Sequence, residues 1–197
     1  MKAQKRINLN KQESPFIIAG LGNPGEDYNK TRHNAGFIFL DTLANQLGLK
    51  WIDSPKLKCQ LIKHGKLILI KPTSYMNNSG QAVHAVMAYY KLLEKKMCLT
   101  IKNADFSDRL LIVHDDLDIS FGNYKFSTDS RAAGHNGVQS IIDNLKTKNF
   151  SRLRIGIKTD LLQHIKVTNF VLKRFSKDED NELNKNIGNI IDSEFAL

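Results

Sequence analysis

The sequence predicts an α/β fold, a single domain in which a mixed, mostly parallel twisted sheet is sandwiched between helices. Three observations carry that expectation. Phe16-Ile17-Ile18-Ala19 and Leu110-Leu111-Ile112-Val113 are wholly apolar runs of strand length, the pattern of strands covered on both faces. Stretches between such runs repeat apolar residues at helical spacing, and strands alternating with helices build a layered sheet. At 197 residues and 41% hydrophobic, the chain suits one such domain with a full core.

The elements follow in order. Residues 1–14 are polar and read as a flexible N-terminal arm, which leaves 15–197 as the folded domain. Phe16–Gly20 is the first strand. A helix runs from Asn34 to about Leu47, because Phe37, Leu40, Ala44 and Leu47 share one face and Gly48 suits its end. Leu57–Lys63 and Lys66–Ile70 are two strands around the turn His64-Gly65. Ser79 to about Leu93 is a second helix, with Val83, Val86, Met87 and Tyr90 on one side. Residues 94–108 show no period and read as an inserted loop. Leu110–Val113 then empties into a loop, His114-Asp115-Asp116-Leu117-Asp118, and Gly122–Ser127 is a further strand. Gly134-His135-Asn136-Gly137 leads into a third helix carrying Val138, Ile141, Ile142 and Leu145. Leu153–Lys158 is the last strand. Leu183, Ile187, Ile190 and Ile191 mark a terminal helix within 178–197, weakened by Gly188.

Lysines and arginines number 29 against 20 acidic residues, a net charge of +9. Such a surface attracts polyanions, nucleic acid first among them, although a solvated lysine-rich surface gives the same count. Cys59 and Cys98 lie far apart with no paired-cysteine motif, which points to a reducing, cytoplasmic compartment. No apolar run reaches the ~18 residues needed to span a bilayer. The polar, basic N-terminus lacks the apolar core of a secretory signal.

Residues 20–36, GLGNPGEDYNKTRHNAG, are the most informative segment. A strand that ends in a loop of small and polar residues before a helix is where α/β proteins place their chemistry. His33 is its one group that titrates near neutral pH. Asp115 follows a second buried strand at its carboxyl end, where it can orient an imidazole as a general base; helix capping or a turn explains it equally well. His33, His114, His135 and the aspartates around Asp115 supply metal ligands in number, but no metal-site spacing emerges, and the general-base reading ranks above it. Neither a nucleophile elbow nor a phosphate-binding P-loop is present. Asn23, Asn77 and Asn136 lie beside glycines or helix starts. They suit turn geometry, and equally the binding of a carbonyl, a ribose hydroxyl or a water. Tyr28 and Tyr75 offer a face for a base or an apolar side chain, or are packed. Arg152 and Arg154 flank Leu153 on one face of a strand, which fits phosphate contacts or edge solvation.

Taken together, GLGNPGEDYNKTRHNAG, KPTSYMNNSG at 71–80, HDDLD at 114–118, GHNG at 134–137 and FSRLRIGI at 150–157 resemble bacterial peptidyl-tRNA hydrolases, in the same order and over about residues 15–175. The resemblance implies a monomeric, metal-free, cofactor-free esterase that cuts the bond between a peptide and the terminal ribose of tRNA and so recycles tRNA from aborted translation. It implies His33 as general base, Asp115 as its orienting carboxylate and Asn23 as the filter for blocked amines. Tyr28, Tyr75, Asn77 and Asn136 match residues that hold the peptide and the 3′ end, and Arg154 matches an arginine that clamps the terminal phosphate. The chain departs from the pattern at Lys125-Phe126-Ser127, where a second cation is usual, and at Asp129-Ser130-Arg131-Ala132-Ala133, where alanines stand for glycine pairs. Lys125 or Arg131 is expected to supply the missing charge. Two other readings compete: a basic RNA-binding protein of the same fold that has lost the reaction, and a metal-dependent hydrolase built on His114, Asp115, Asp116 and Asp118.

Overall fold

The computed structural model describes residues 7–8, 14–93, 95–96 and 99–196. Its centre is a seven-stranded sheet. In chain order the strands are β1 (Phe16–Gly20), β2 (Ile52–Ser54), β3 (Cys59–His64), β4 (Leu67–Pro72), β5 (Leu110–Ser120), β6 (Tyr124–Ser127) and β7 (Ser151–Lys158). Across the sheet they lie in the order β2-β3-β4-β1-β5-β7-β6. The central four, β4-β1-β5-β7, run parallel, and the pairs outside them are antiparallel. The mixed, mostly parallel α/β sandwich expected from the sequence is therefore the fold.

Among the described residues, five α-helices cover it: α1 (Ala35–Gln46), α2 (Ser79–Tyr89), α3 (Asn136–Leu145), α4 (Val167–Leu172) and α5 (Lys177–Glu194). Strand alternation divides the core in two. Phe16, Ile18, Leu111 and Val113 pack under α1, α4 and α5. Ile17, Ala19, Leu110 and Ile112 pack under α2 and α3. None of the described helices is long and apolar enough to cross a membrane.

Two expected boundaries are corrected. The strand at Leu110–Val113 continues to Ser120, so His114–Asp118 is strand and not loop; β7 keeps pairing with it, Arg154 opposite His114 and Ile155 opposite Asp115. The second helix stops at Tyr89 instead of reaching Leu93. Lys91 takes a left-handed φ of 58°, its N–H donates to the Ala88 carbonyl and that of Leu92 to Met87, a Schellman end made without glycine. Strand β2 and helix α4 were not expected from the sequence.

Of the arm at 1–14, residues 1–6 and 9–13 lie outside the described residues, while Ile7–Asn8 pairs in parallel with Phe195–Ala196. Of the segment 94–108, residues 94, 97 and 98 lie outside them, Cys98 included. Lys95–Lys96 pairs antiparallel with Leu99–Thr100, and Phe106 is fully buried in the α2/α3 side of the core.

The topology opens a crevice. From β1 the chain passes through α1 toward β4, and from β4 through α2 to β5 on the other side of β1. Crossovers that leave in opposite directions put a cleft at the carboxyl ends of the strands between them. Strand β1 stops opposite Val113, so β5 beyond Val113 has a neighbour on one side only. Asp115 lies in that freed stretch.

Candidate active site

The loop that carries His33 is tied down along its length. Gly36, in the first turn of α1, lies so close to β1 and β5 that a Cβ there would collide with the Val113 carbonyl and the Leu21 backbone. Gly25 takes a φ of 102° at the turn, a conformation that favours glycine. The Asn34 side chain accepts from the Asn23 N–H (2.8 Å) and donates to the Asn23 carbonyl (2.9 Å), so the two ends of the loop hold each other. Arg32 is 1% exposed. Its guanidinium donates to Glu179 (2.6 Å) and to the carbonyls of Lys173 and Arg174, and stacks over Phe170 and Phe175.

His33, one residue on, points its Nδ1 at both oxygens of Asp115, at 3.0 and 3.1 Å. Asp115 is 2% exposed. Alternation along β5 places it on the face of Leu111 and Val113, the face on which α1 packs. Asp116 faces the other way and accepts from Arg154 Nε at 2.7 Å. The strand therefore points Asp115 to one face and Asp116 to the other, although Asp115, Asp116 and Asp118 all border one cleft.

A second imidazole meets the same carboxylate. His135 Nε2 lies 3.0 Å from Asp115 Oδ1, and the His33 and His135 ring centres are 4.9 Å apart. The three ligand-type atoms of His33, Asp115 and His135 lie within 4.8 Å of one another. Hydrogen bonds between imidazole and carboxylate account for that grouping. His114 is buried; its Nδ1 donates to the Asp115 carbonyl at 2.7 Å and its ring meets His135 edge-on.

The electrostatics follow from burial and contact. Burial opposes the charged form of His33, but the charge of Asp115 and its hydrogen bond outweigh it and raise the imidazole above its ordinary value. Burial would raise the Asp115 carboxyl, yet the two imidazoles against it hold it well below the usual carboxylate range. Burial, with His135 beside it, lowers His114 to about 3, so His114 is neutral at working pH. With Asp115 ionised and accepting, neutral His33 carries its proton on Nδ1 and leaves Nε2 as the unprotonated nitrogen.

The remaining expected residues distribute as follows. His33, Asp115, His135 and Asn136 line a cleft of about 350 Å³ closed on one side by Val167, Thr168 and Val171 of α4. Asn23 lines a second opening of about 560 Å³ with Asn34, Phe37 and Lys71. Asn23 Oδ1 accepts from the Met76 N–H at 2.8 Å. That bond fixes the amide's orientation and leaves Nδ2 as its donor. The same bond holds the turn with Tyr75 and Asn77, both exposed, and Tyr75 meets Tyr28 edge-on at 6.0 Å. Lys125 is exposed on edge strand β6 directly opposite Arg154.

The two arginines of β7 share a face as expected, but only Arg154 keeps exposed surface for a ligand. Arg152 is 2% exposed, stacks over Phe150 and donates to the carbonyls of Ser130 and Arg131. Arg131 thus has its backbone fixed and its side chain exposed. The sequence reading missed Arg32 and Asn34, and weighed His135 only as a metal ligand. The GHNG motif was the available signal for His135.

The comparisons with known proteins bear on the family and the fold. A family model described as peptidyl-tRNA hydrolase matches residues 17–194. A peptidyl-tRNA hydrolase of Mycoplasma mycoides subsp. mycoides SC is 41% identical over 170 residues, covering 85% of this chain and 84% of the relative. One from Aliarcobacter butzleri is 40% identical over 187 residues, covering 92% and 91%. The crystal structure of peptidyl-tRNA hydrolase from Acinetobacter baumannii superposes with a TM-score of 0.75 at 31% identity, over 90% of this chain and 85% of that one.

Proposed function

We propose that His33 is the general base of this enzyme: the chain belongs to the peptidyl-tRNA hydrolase family and hydrolyses the ester bond of peptidyl-tRNA, and its residues supply a one-step route. Asp115 holds His33 through Nδ1–H. The bare Nε2 takes a proton from a water as that water attacks the ester carbonyl. The amides of Asn23 and Asn77 and nearby backbone N–H groups donate to the oxyanion that develops. The proton on Nε2 then passes to the ribose 3′-oxygen as the ester bond breaks, which regenerates the base. The products are a free carboxylate and a tRNA with its terminal hydroxyl restored.

Asn23 reads whether the amine beside the carbonyl is blocked. Tyr28, Tyr75 and Asn136 hold the peptide and the terminal nucleotide, and Arg154 with Lys125 or Arg131 receives tRNA phosphates. The protein acts as a cytoplasmic monomer without metal or cofactor, recycling tRNA from aborted translation.

The observation that carries this reading is the bond from His33 Nδ1 to a carboxylate 2% exposed. A buried ionised Asp is costly unless paired, and here its partners are imidazoles at the mouth of a cleft. The experiment is release of N-acetyl-amino acid from tRNA, with and without EDTA. His33→Ala is expected to lower turnover by roughly 10²–10⁴-fold while tRNA binding persists, and EDTA is expected to change nothing. Near-normal turnover by the variant would sink the base assignment, and loss of activity in EDTA would restore a metal.

A further inference from the structure

We propose that His135 is a positioning residue for the hydrolysis, holding Asp115 so that His33 is presented to the water; the proposal rests on the reading of His33 as base. His135 has two hydrogen-bonding nitrogens, and each is committed. It is the N-cap of α3, where its Nδ1 accepts from the Val138 N–H at 3.4 Å. A ring nitrogen that accepts carries no proton, so in the neutral ring the proton sits on Nε2. That Nε2–H faces Asp115 Oδ1 at 3.0 Å. The helix start therefore selects the tautomer, and the tautomer makes His135 a donor to the carboxylate. The ring has little freedom: its side chain is 9% exposed and the His114 ring meets it edge-on at 4.7 Å.

Asp115 thus receives two N–H donors from opposite walls of the cleft, one from the α1 side and one from the α3 side. A carboxylate tethered by His33 alone can rotate with it. One tethered twice is fixed, and His33 with it. Sharing the carboxylate's charge between two donors also weakens its pull on the His33 proton. Among the described residues that line the cleft or flank His33, the other charged groups are paired, neutral or in solvent. Asp116 lines the same cleft but is paired with Arg154, Arg32 is paired with Glu179, His114 is neutral, and α4 brings only Val167, Thr168 and Val171. Asp118 lines the cleft but is exposed to solvent.

The two bonds of His135 can be separated by substitution. An Asn amide reproduces the place of Nδ1 and is a strong N-cap; it does not reach Asp115. A Gln amide reproduces the place of Nε2. His135→Asn is expected to melt near the wild type and to lose roughly 10- to 100-fold in kcat, the worth of a hydrogen bond to a charged group, with KM for N-acetyl-aminoacyl-tRNA little changed. Its acidic limb should move to higher pH, because Asp115 then acts on His33 undivided. His135→Gln should restore kcat to within a few-fold and return the limb. Wild-type kcat in His135→Asn overturns the proposal. So does a loss that Gln does not restore, or a limb that stays in place, since a purely structural role leaves both unmoved. His33→Ala in the same assay separates this failure from failure of the base reading: an active His33→Ala defeats both, whereas an inactive one beside a fully active His135→Asn defeats only this proposal.

Discussion

At the scale of single residues, the pH profile is the sharpest reporter on His33. Burial works against its charged form, and Asp115 works for it and prevails, so its pKa is raised. The base must be neutral to act. kcat/KM on N-acetyl-aminoacyl-tRNA should therefore fall as pH drops through that raised value, with a midpoint above the ordinary imidazole value of about 6.5. Asp115→Asn removes the negative charge and leaves burial dominant, so the midpoint should shift to lower pH while the plateau rate drops. A pH titration of both proteins checks this; a limb in Asp115→Asn at or above the wild-type position would contradict it. The pair was legible in the sequence because each member follows a wholly apolar run, and such runs are readable as buried strands. His135, Arg32 and Asn34 were not, because what they do is set by partners the chain brings from afar. Arg32 is matched with Glu179, 147 residues away, and no local pattern announces that bond. His135 is split between a cap three residues on and Asp115 twenty back.

At the scale of elements, the loop that carries His33 is braced by the joint between α4 and α5. Arg32 N–H donates to the Lys173 carbonyl, Thr31 bridges Arg174, and the Phe175 N–H donates to Lys30. Glu179 serves twice: one oxygen closes the capping box of α5 on the Ser176 N–H, and the other takes the Arg32 guanidinium. Arg32→Ala leaves Glu179 without its partner and a void between Phe170 and Phe175. Breaking a buried pair costs about 3–5 kcal/mol, and the partial exposure of Glu179 (23%) places the loss at the lower end. A thermal melt should fall by roughly 6–12 °C, with kcat falling as His33 loosens; an unchanged melt would remove Arg32 from the brace. Arg32→Lys should rescue little, since an ammonium cannot reproduce the fork that spans a carboxylate and two carbonyls. Helix α4, part of this joint, was invisible in the sequence. It has six residues and a single buried one, Phe170, too few to show a period. Strand β5 was read short for a different reason: its apolar pattern stops where β1 leaves it, but its pairing with β7 goes on.

At the scale of the whole molecule, the charge of +9 becomes meaningful once the cleft and the basic edge beside it are located. Arg154 is held by Asp116, so part of its charge is already satisfied and its guanidinium is fixed in direction. Lys125 stands across from it on the exposed edge strand, an exposed cation beside an anchored one. Affinity for tRNA should fall steeply with salt, because each phosphate neutralised releases counterions. Lys125→Ala should weaken binding evenly across tRNA species and make the slope of log K against log salt shallower by about 1, the mark of one lost phosphate contact. Its kcat at saturating N-acetyl-aminoacyl-tRNA should stay near wild type, since β7 stands between the strand of Lys125 and that of Asp115. Equilibrium binding of deacylated tRNA at several salt concentrations measures that slope directly. If wild type and variant give parallel lines, Lys125 touches no phosphate and Arg131, whose backbone Arg152 fixes, becomes the cation to test by the same titration.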